Sequence, residues 1–170
     1  MKILVTSASK HEATAEIARV IGEALRKRGI DVTVAPIGEA TVDGFGAFVI
    51  GSAVYSGRWL AEAKDFVERN VEDLRSHPVW LFSSGPIGDP ADPEEVDPVD
   101  ARSMILATGA CDHRVFAGRL SKAALNISER AIVSAMHTPL GDYRDWDAIR
   151  AWASSIALGL HAKSRERWPS

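Results

Sequence analysis

Three apolar runs that fail to alternate constrain this chain most: "KILVT" (2–6), "GAFVIGS" (46–52) and "PVWLFSS" (78–84). A strand with one wet face alternates apolar and polar residues. A run that is apolar at nearly every position is buried on both faces, as in the middle of a parallel sheet. Between these runs the period becomes helical. From Thr14, the positions Ile17, Val20, Ile21, Ala24 and Leu25 share one helical face, and Gly29 ends that helix behind Lys27 and Arg28. "DVTVAP" (31–36) alternates more, as an edge strand does.

The same rhythm continues to the end. Leu60, Ala63, Phe66, Val67 and Leu74 mark a second helix, and a short one runs from about Val99 to Ala107. "HRVFAGRL" is a fifth strand, a helix follows around Lys122 to Met136, and "HTPLGDYR" is a loop. Trp146, Ile149, Trp152, Ala153, Ile156 and Leu160 stripe a closing amphipathic helix, capped by Asp145 with Trp146 turned inward. Strands that alternate with helices make βαβ units with right-handed crossovers, hence an α/β fold with helices on both faces of a parallel sheet. Five strands permit the order 2-1-3-4-5 or a small Rossmann-like half. In both, ligands bind beyond the carboxyl ends of the strands.

At 170 residues the chain is expected to form one domain over 1–170, with the last few residues, "SRERWPS", frayed. A net charge of −3 offers no footing for nucleic acid or an anionic membrane. No apolar run reaches the roughly 18–20 residues that span a bilayer, and the N-terminus is too short for a secretory core, so the cytoplasm is the expected location. Cys111, the single cysteine, has no disulfide partner and reads as a small buried residue. The five histidines lie far apart, so no metal site is expected.

The loops after strands one, three and four are "SASKHEAT", "SAVYSGRW" and "SSGPIG", each with two serines where the loops at the opposite ends have at most one, and the second and third carry glycine as well. The first opens a helix, whose unpaired N–H groups favour an anion. Ser7, Ser9 and Thr14 add hydroxyls, Lys10 a positive charge, and His11 a further donor. Neither a P-loop nor a "GxGxxG" loop is present, which leaves a phosphate monoester rather than a nucleotide triphosphate or a dinucleotide. The competing reading makes Ser9 or Thr14 a simple helix cap and Lys10 a solvated side chain.

The second loop offers Tyr55, with Ala53, Val54, Ser56 and Gly57 around it. Trp59 opens a helix and reads as core. The third offers Ser84, Gly85, Pro86, Ile87 and Gly88. A phosphate at one end and a flat ring held between two loops at the other describe a flavin mononucleotide (FMN).

"ASKHEATAEIA", "VIGSAVYSGRW" and "WLFSSGPIG", with "FAGRL" and "GDYRDWDAIRAWA" downstream, resemble the flavodoxin-like family. More narrowly, they are similar to the flavodoxin-domain proteins of the menaquinone-dependent protoporphyrinogen oxidase type. The resemblance implies a five-stranded flavodoxin-like sheet and non-covalent FMN. Its phosphate loop, matched here by Ser9 to Thr14, usually carries glycine at the position of Glu12 and a polar amide at that of Ala13. Glu12 is compatible with a phosphate if its carboxylate turns outward and only its N–H serves.

Two functional classes follow from the resemblance: a soluble electron carrier, and an oxidoreductase that takes electrons from a small organic donor and passes them to an acceptor. The protoporphyrinogen oxidase type implies a porphyrinogen and a quinone. Twenty basic against 23 acidic residues is less acidic than a docking carrier and favours the enzyme, with no catalytic residue beyond the flavin. A third reading, with Glu12 excluding the cofactor, is an interaction module. The acidic loop Asp89–Asp100 is either a substrate-selecting flap or a solvated insertion. Arg58, Arg102, Arg119 and Arg144 are either partners for substrate carboxylates or surface charges. The oligomeric state is open, a homodimer included.

Overall fold

The computed structural model describes residues 1–55, 57–85, 100–120, 126–135 and 140–166. Its main sheet is built from β1 (Lys2–Ala8), β2 (Asp31–Pro36), β3 (Ala47–Tyr55), β5 (Val79–Ser84) and β6 (Asp112–Phe116), all parallel, with β4 (Arg58–Trp59) turned back antiparallel on β3. The order is β2-β1-β3-β5-β6, so the parallel strands follow the 2-1-3-4-5 arrangement. The sixth strand, β4, is a short addition that the sequence pattern did not separate from its loop.

The unalternating runs now have their cause. In β1, Ile3 and Val5 face one core while Leu4 faces the other. Val49 of β3 opposes Phe48 and Ile50, and Trp80 and Phe82 of β5 oppose Val79 and Leu81. The first core is closed by α1 (Ala13–Arg26) and α6 (Trp146–Glu166), through Ile17, Ile21, Leu25, Ile149, Trp152 and Ile156. The second is closed by α2 (Ala61–Arg69), α3 (Val71–Arg75) and α4 (Ala101–Thr108), through Phe66, Val67, Leu74 and Met104.

Three expectations are corrected. The second helix is two, because Asn70 leaves helical geometry (φ −116°, ψ 18°) and its side-chain amide donates to the Phe66 carbonyl. The fifth strand stops at Phe116. Arg119–Leu120 (β7) instead pairs antiparallel with Gly141–Asp142 (β8), and the Tyr143 N–H donates to the Gly118 carbonyl. Cys111 is exposed rather than buried: its backbone N–H meets the Val79 carbonyl at 2.7 Å while its side chain lies at the surface. Between β7 and β8 the described residues hold α5 (Ile127–Ala135), where a longer helix over Lys122–Met136 was expected; residues 121–125 and 136–139 lie outside the description. No helix among the described residues is long and apolar enough to cross a membrane.

Candidate functional site

Sheet register brings the three loops to one edge. Ala8 of β1 lies beside Ser52 of β3, which lies beside Ser83 of β5. The chain therefore leaves β1 and β5 at nearly the same level, and β3 runs on by three residues to Tyr55.

The first loop is a tight turn. The Ala13 N–H donates back to the His11 carbonyl at 2.8 Å, and this closure forces Glu12 to φ 65°, ψ −22°. Glu12 is the one non-glycine residue with positive φ among those described. The glycine preference at this position thus has a backbone reason: a β-carbon is disfavoured in the left-handed region. The Glu12 carboxylate is 74% exposed and pairs with Arg19 at 3.1 Å, so it is directed outward along α1. Glu12 makes no side-chain cap, which leaves the mouth of α1 to other partners. Thr14 is buried there. The buried Ser9 hydroxyl oxygen has no hydrogen-bond partner among the described residues. A buried hydroxyl left unbonded is costly unless a ligand or water meets it. A hydroxyl, helix N–H groups, the nearby ammonium of Lys10 and the ring of His11 are a donor set suited to a phosphate monoester.

The second loop lies between paired strands, Val54↔Trp59 and Tyr55↔Arg58, with Gly57 at φ 69°. Trp59 is core, as expected. It is 2% exposed, and its indole N–H donates to the Ser83 hydroxyl at 2.8 Å. Ser83 also bonds His113 Nε2 at 2.8 Å. A Ser–His contact can mark a nucleophile and its base. Here Ser83 is fully buried and its oxygen already accepts from Trp59, so the pair braces the two ring-side loops against each other. Ser52 adds a second brace: its hydroxyl accepts from the Leu60 N–H at 2.9 Å and donates to the Ala53 carbonyl at 2.8 Å. Ala53 and Ser84 are buried beneath the edge, and Val54 is half-buried. Tyr55 stands at the rim, 39% exposed.

Gly85 opens the third loop at φ 98°, its N–H held by the Phe116 carbonyl at 2.9 Å. That left-handed backbone explains the glycine. Ser56, Pro86, Ile87 and Gly88 lie outside the described residues, as does the acidic loop up to its last member. Asp100, 14% exposed, ties that end down. It accepts from the Trp59 N–H at 3.2 Å and faces Arg58 and Lys64, each at 3.4 Å.

The first two loops meet. Lys10 Nζ lies 5.2 Å from the centre of the Tyr55 ring, and the His11 ring meets Tyr55 edge-on at 6.4 Å.

A cluster that sequence reasoning missed lies just behind the first loop. Arg144, its side chain only 3% exposed, bonds Asp142 through Nη2 at 2.6 Å and Nε at 2.8 Å, and also bonds Glu16 of α1. It reaches the Ala13 carbonyl at 3.4 Å and stacks on Trp146 at 4.4 Å, while Arg119 pairs with Glu16 at 3.3 Å. Burial pushes the Glu16 carboxyl up, but the hydrogen bond and charge of Arg144, with Arg119 and Arg19, more than offset this and hold it below the ordinary value. The hydrogen bond from Arg144 holds Asp142 low, against a smaller effect of burial. The same Asp142 contact, outweighing burial and aided by Glu16, raises Arg144. The "GDYRDW" segment hinted at structure, and Asp145 does cap α6 through the Asp147 and Ala148 N–H groups at 3.0 and 2.9 Å. Nothing in the sequence, however, tied Arg144 to a glutamate 128 positions earlier. Arg58, Arg119 and Arg144 therefore each face a carboxylate of the chain itself. Among the described residues no group of three or more His, Cys, Asp or Glu could hold a metal ion.

Comparison with known proteins agrees with this geometry. A family model described as a flavodoxin domain matches residues 4–147. No curated protein matches the chain. Among solved structures, a rubredoxin oxygen:oxidoreductase from Desulfovibrio gigas aligns with a TM-score of 0.62 at 16% identity over 95% of this chain; the chain spans only 36% of that protein. An oxidised Flavodoxin 2 from Bacillus cereus aligns at 0.59 and 19% identity, covering 96% of this chain and 99% of that one. A mutant flavodoxin from Pseudomonas aeruginosa aligns at 0.57 and 16%, covering 95% and 99%. At these identities the likeness is one of fold.

Proposed function

The chain belongs to the flavodoxin domain family, and from that premise we propose that it binds FMN non-covalently and serves as an electron-transfer domain, its 170 residues acting as one unit. The observation that carries the reading is the buried, unbonded Ser9 hydroxyl at the mouth of α1, one turn from side chains that reach the Tyr55 ring. Ser9, Thr14 and the first N–H groups of α1 would hold the phosphate, with Lys10 adding charge and His11 a further donor. Glu12 contributes backbone only, because its carboxylate is engaged by Arg19. Tyr55, Val54 and Gly57 would line one side of the ring. Ser84 and Gly85, with the expected continuation through Gly88, would line the other. Bound flavin supplies hydride or single-electron transfer; the protein supplies orientation and charge.

The supporting solved structures include flavodoxins, which favours a carrier that hands electrons between redox partners. A second reading, an oxidoreductase acting on an organic donor, is favoured by the near balance of 20 basic and 23 acidic residues. A porphyrinogen donor with a quinone acceptor is the finer form of that reading. It is weakened because three of the four arginines that would answer a porphyrinogen's carboxylates face carboxylates within the chain.

Titrating the apoprotein with FMN, followed by flavin fluorescence, tests the proposal. Saturable binding at one FMN per chain is expected, and no binding would overturn it. The two readings then separate on turnover. A carrier cycles with a flavodoxin reductase and is not reduced by porphyrinogen, whereas the enzyme is reduced by its organic donor and reoxidised by quinone.

A further inference from the structure

The charged cluster behind the first loop bears on the anion end of the candidate site. We propose that Arg144 is a positioning residue that acts through Glu16: it cancels a carboxylate in the first turn of α1 that would otherwise compete with the cofactor's phosphate for the positive end of the helix. The inference rests on the FMN reading above.

The geometry joins the two residues to the mouth of α1. The Glu16 N–H donates to the Glu12 carbonyl at 2.9 Å, so Glu16 stands one helical turn, about 5.4 Å of axis, inside that mouth. It is the acidic residue of the first turn. A carboxylate there already answers the positive end of the helix dipole, which an anionic ligand at the same mouth would use. Arg144 approaches from behind, directly after Tyr143 and β8, with its side chain 3% exposed. It bonds Glu16 and Asp142, reaches the Ala13 carbonyl at 3.4 Å and lies over the Trp146 ring at 4.4 Å. Its Nε and both Nη atoms are engaged within the chain, so its charge reaches a ligand only through what it does to Glu16.

The charges balance as they stand. Glu16 and Asp142 are negative, Arg119 and Arg144 positive, and the four sum to zero. Arg19, which also acts on Glu16, is itself paired with Glu12 at 3.1 Å. Removing Arg144 alone leaves the cluster one charge negative beside the mouth of α1; removing Glu16 alone leaves it one charge positive. Glu16 and Asp142 are 29% and 43% exposed, so water reaches both carboxylates when Arg144 is lost. A purely mechanical clip between β8 and α1 predicts something else. Breaking it from either end would loosen the first turn and weaken phosphate binding. Charge compensation predicts opposite signs from the two ends.

Dissociation constants for FMN are measured on wild-type, E16Q, R144Q and E16Q/R144Q apoprotein, at low and at high ionic strength. E16Q should bind FMN about three- to fivefold more tightly and R144Q about three- to tenfold more weakly, while the double variant returns to within about twofold of wild type. The differences should shrink at high ionic strength, because they arise between charges rather than from contacts. Weaker or unchanged binding by E16Q would make the cluster a mechanical clip and overturn the proposal. So would an R144Q protein that binds like wild type, or a loss in R144Q that the added E16Q does not recover. If the thermal melt of R144Q shows that it does not fold, the sign of the E16Q change decides alone. Failure of wild-type protein to bind FMN would sink the FMN reading and this inference with it, whereas wild-type binding with the wrong signs sinks only the role of Arg144.

Discussion

Replacing Glu12 by glycine should stabilise this protein, even though it deletes an ion pair. Glu12 sits at φ 65° because the Ala13 N–H closes back on the His11 carbonyl. A residue with a β-carbon costs about 1–2 kcal/mol in the left-handed region. Glycine removes that cost but enlarges the unfolded ensemble, worth about 0.4–1 kcal/mol in the other direction. The Glu12–Arg19 pair is well exposed on both sides and contributes a few tenths of a kcal/mol at most. The balance favours E12G by about 0.5–1 kcal/mol. Unfolding entropy of about 2.1 cal/mol/K per residue converts this to a Tm increase of roughly 1.5–3 °C for a chain of 170 residues. Glu12→Ala is the control, because it deletes the same carboxylate and keeps the strain; its Tm should stay level or fall slightly. Differential scanning calorimetry on the three apoproteins reads the result. A rise in E12A equal to that in E12G would place the strain in the carboxylate rather than the backbone and refute the reasoning. The same variants test the outward orientation of the side chain: E12A should change FMN affinity by less than about twofold, since the carboxylate faces Arg19. Severalfold tighter binding would mean that it faces the phosphate instead.

Two further predictions concern the supports behind the site. Ser83→Ala leaves the buried Trp59 indole N–H without its acceptor and should cost about 1–3 kcal/mol in urea unfolding; unchanged stability would mean that the Trp59–Ser83–His113 chain is not a brace. Glu16 and Asp142 both have pKa values held below their ordinary 4.5 and 3.8, so their contribution is complete above those values and lost as pH falls through the lowered ones. Arg144, raised above an already high value, stays charged throughout. Urea unfolding between pH 6 and pH 3 should therefore show a steeper acid loss in the wild type than in an E16Q/D142N double variant, and parallel curves would exclude the cluster as its source.

Much of the fold could be read from the order of residues. Ile3–Leu4–Val5 and Val79–Trp80–Leu81–Phe82 are apolar without a break because successive side chains enter opposite cores, and only a sheet covered on both faces demands that. Binding at the carboxyl edge follows from that topology, and the serine content of the three loops was visible as composition. What the order of residues could not contain was contact between distant positions. The left-handed turn at Glu12 arises from a hydrogen bond across three residues, and glutamate gives no propensity signal for it. Arg144 looks like any surface arginine until the fold lays β8 beside the first turn of α1, where two carboxylates make its burial tolerable. Ser83 looks like a loop serine until β5 sets it between Trp59 and His113. Periodicity is a local property, and it determined the layers; charge pairing and hydrogen bonding act over a few ångströms in space, and only the tertiary structure decided which residues came that close.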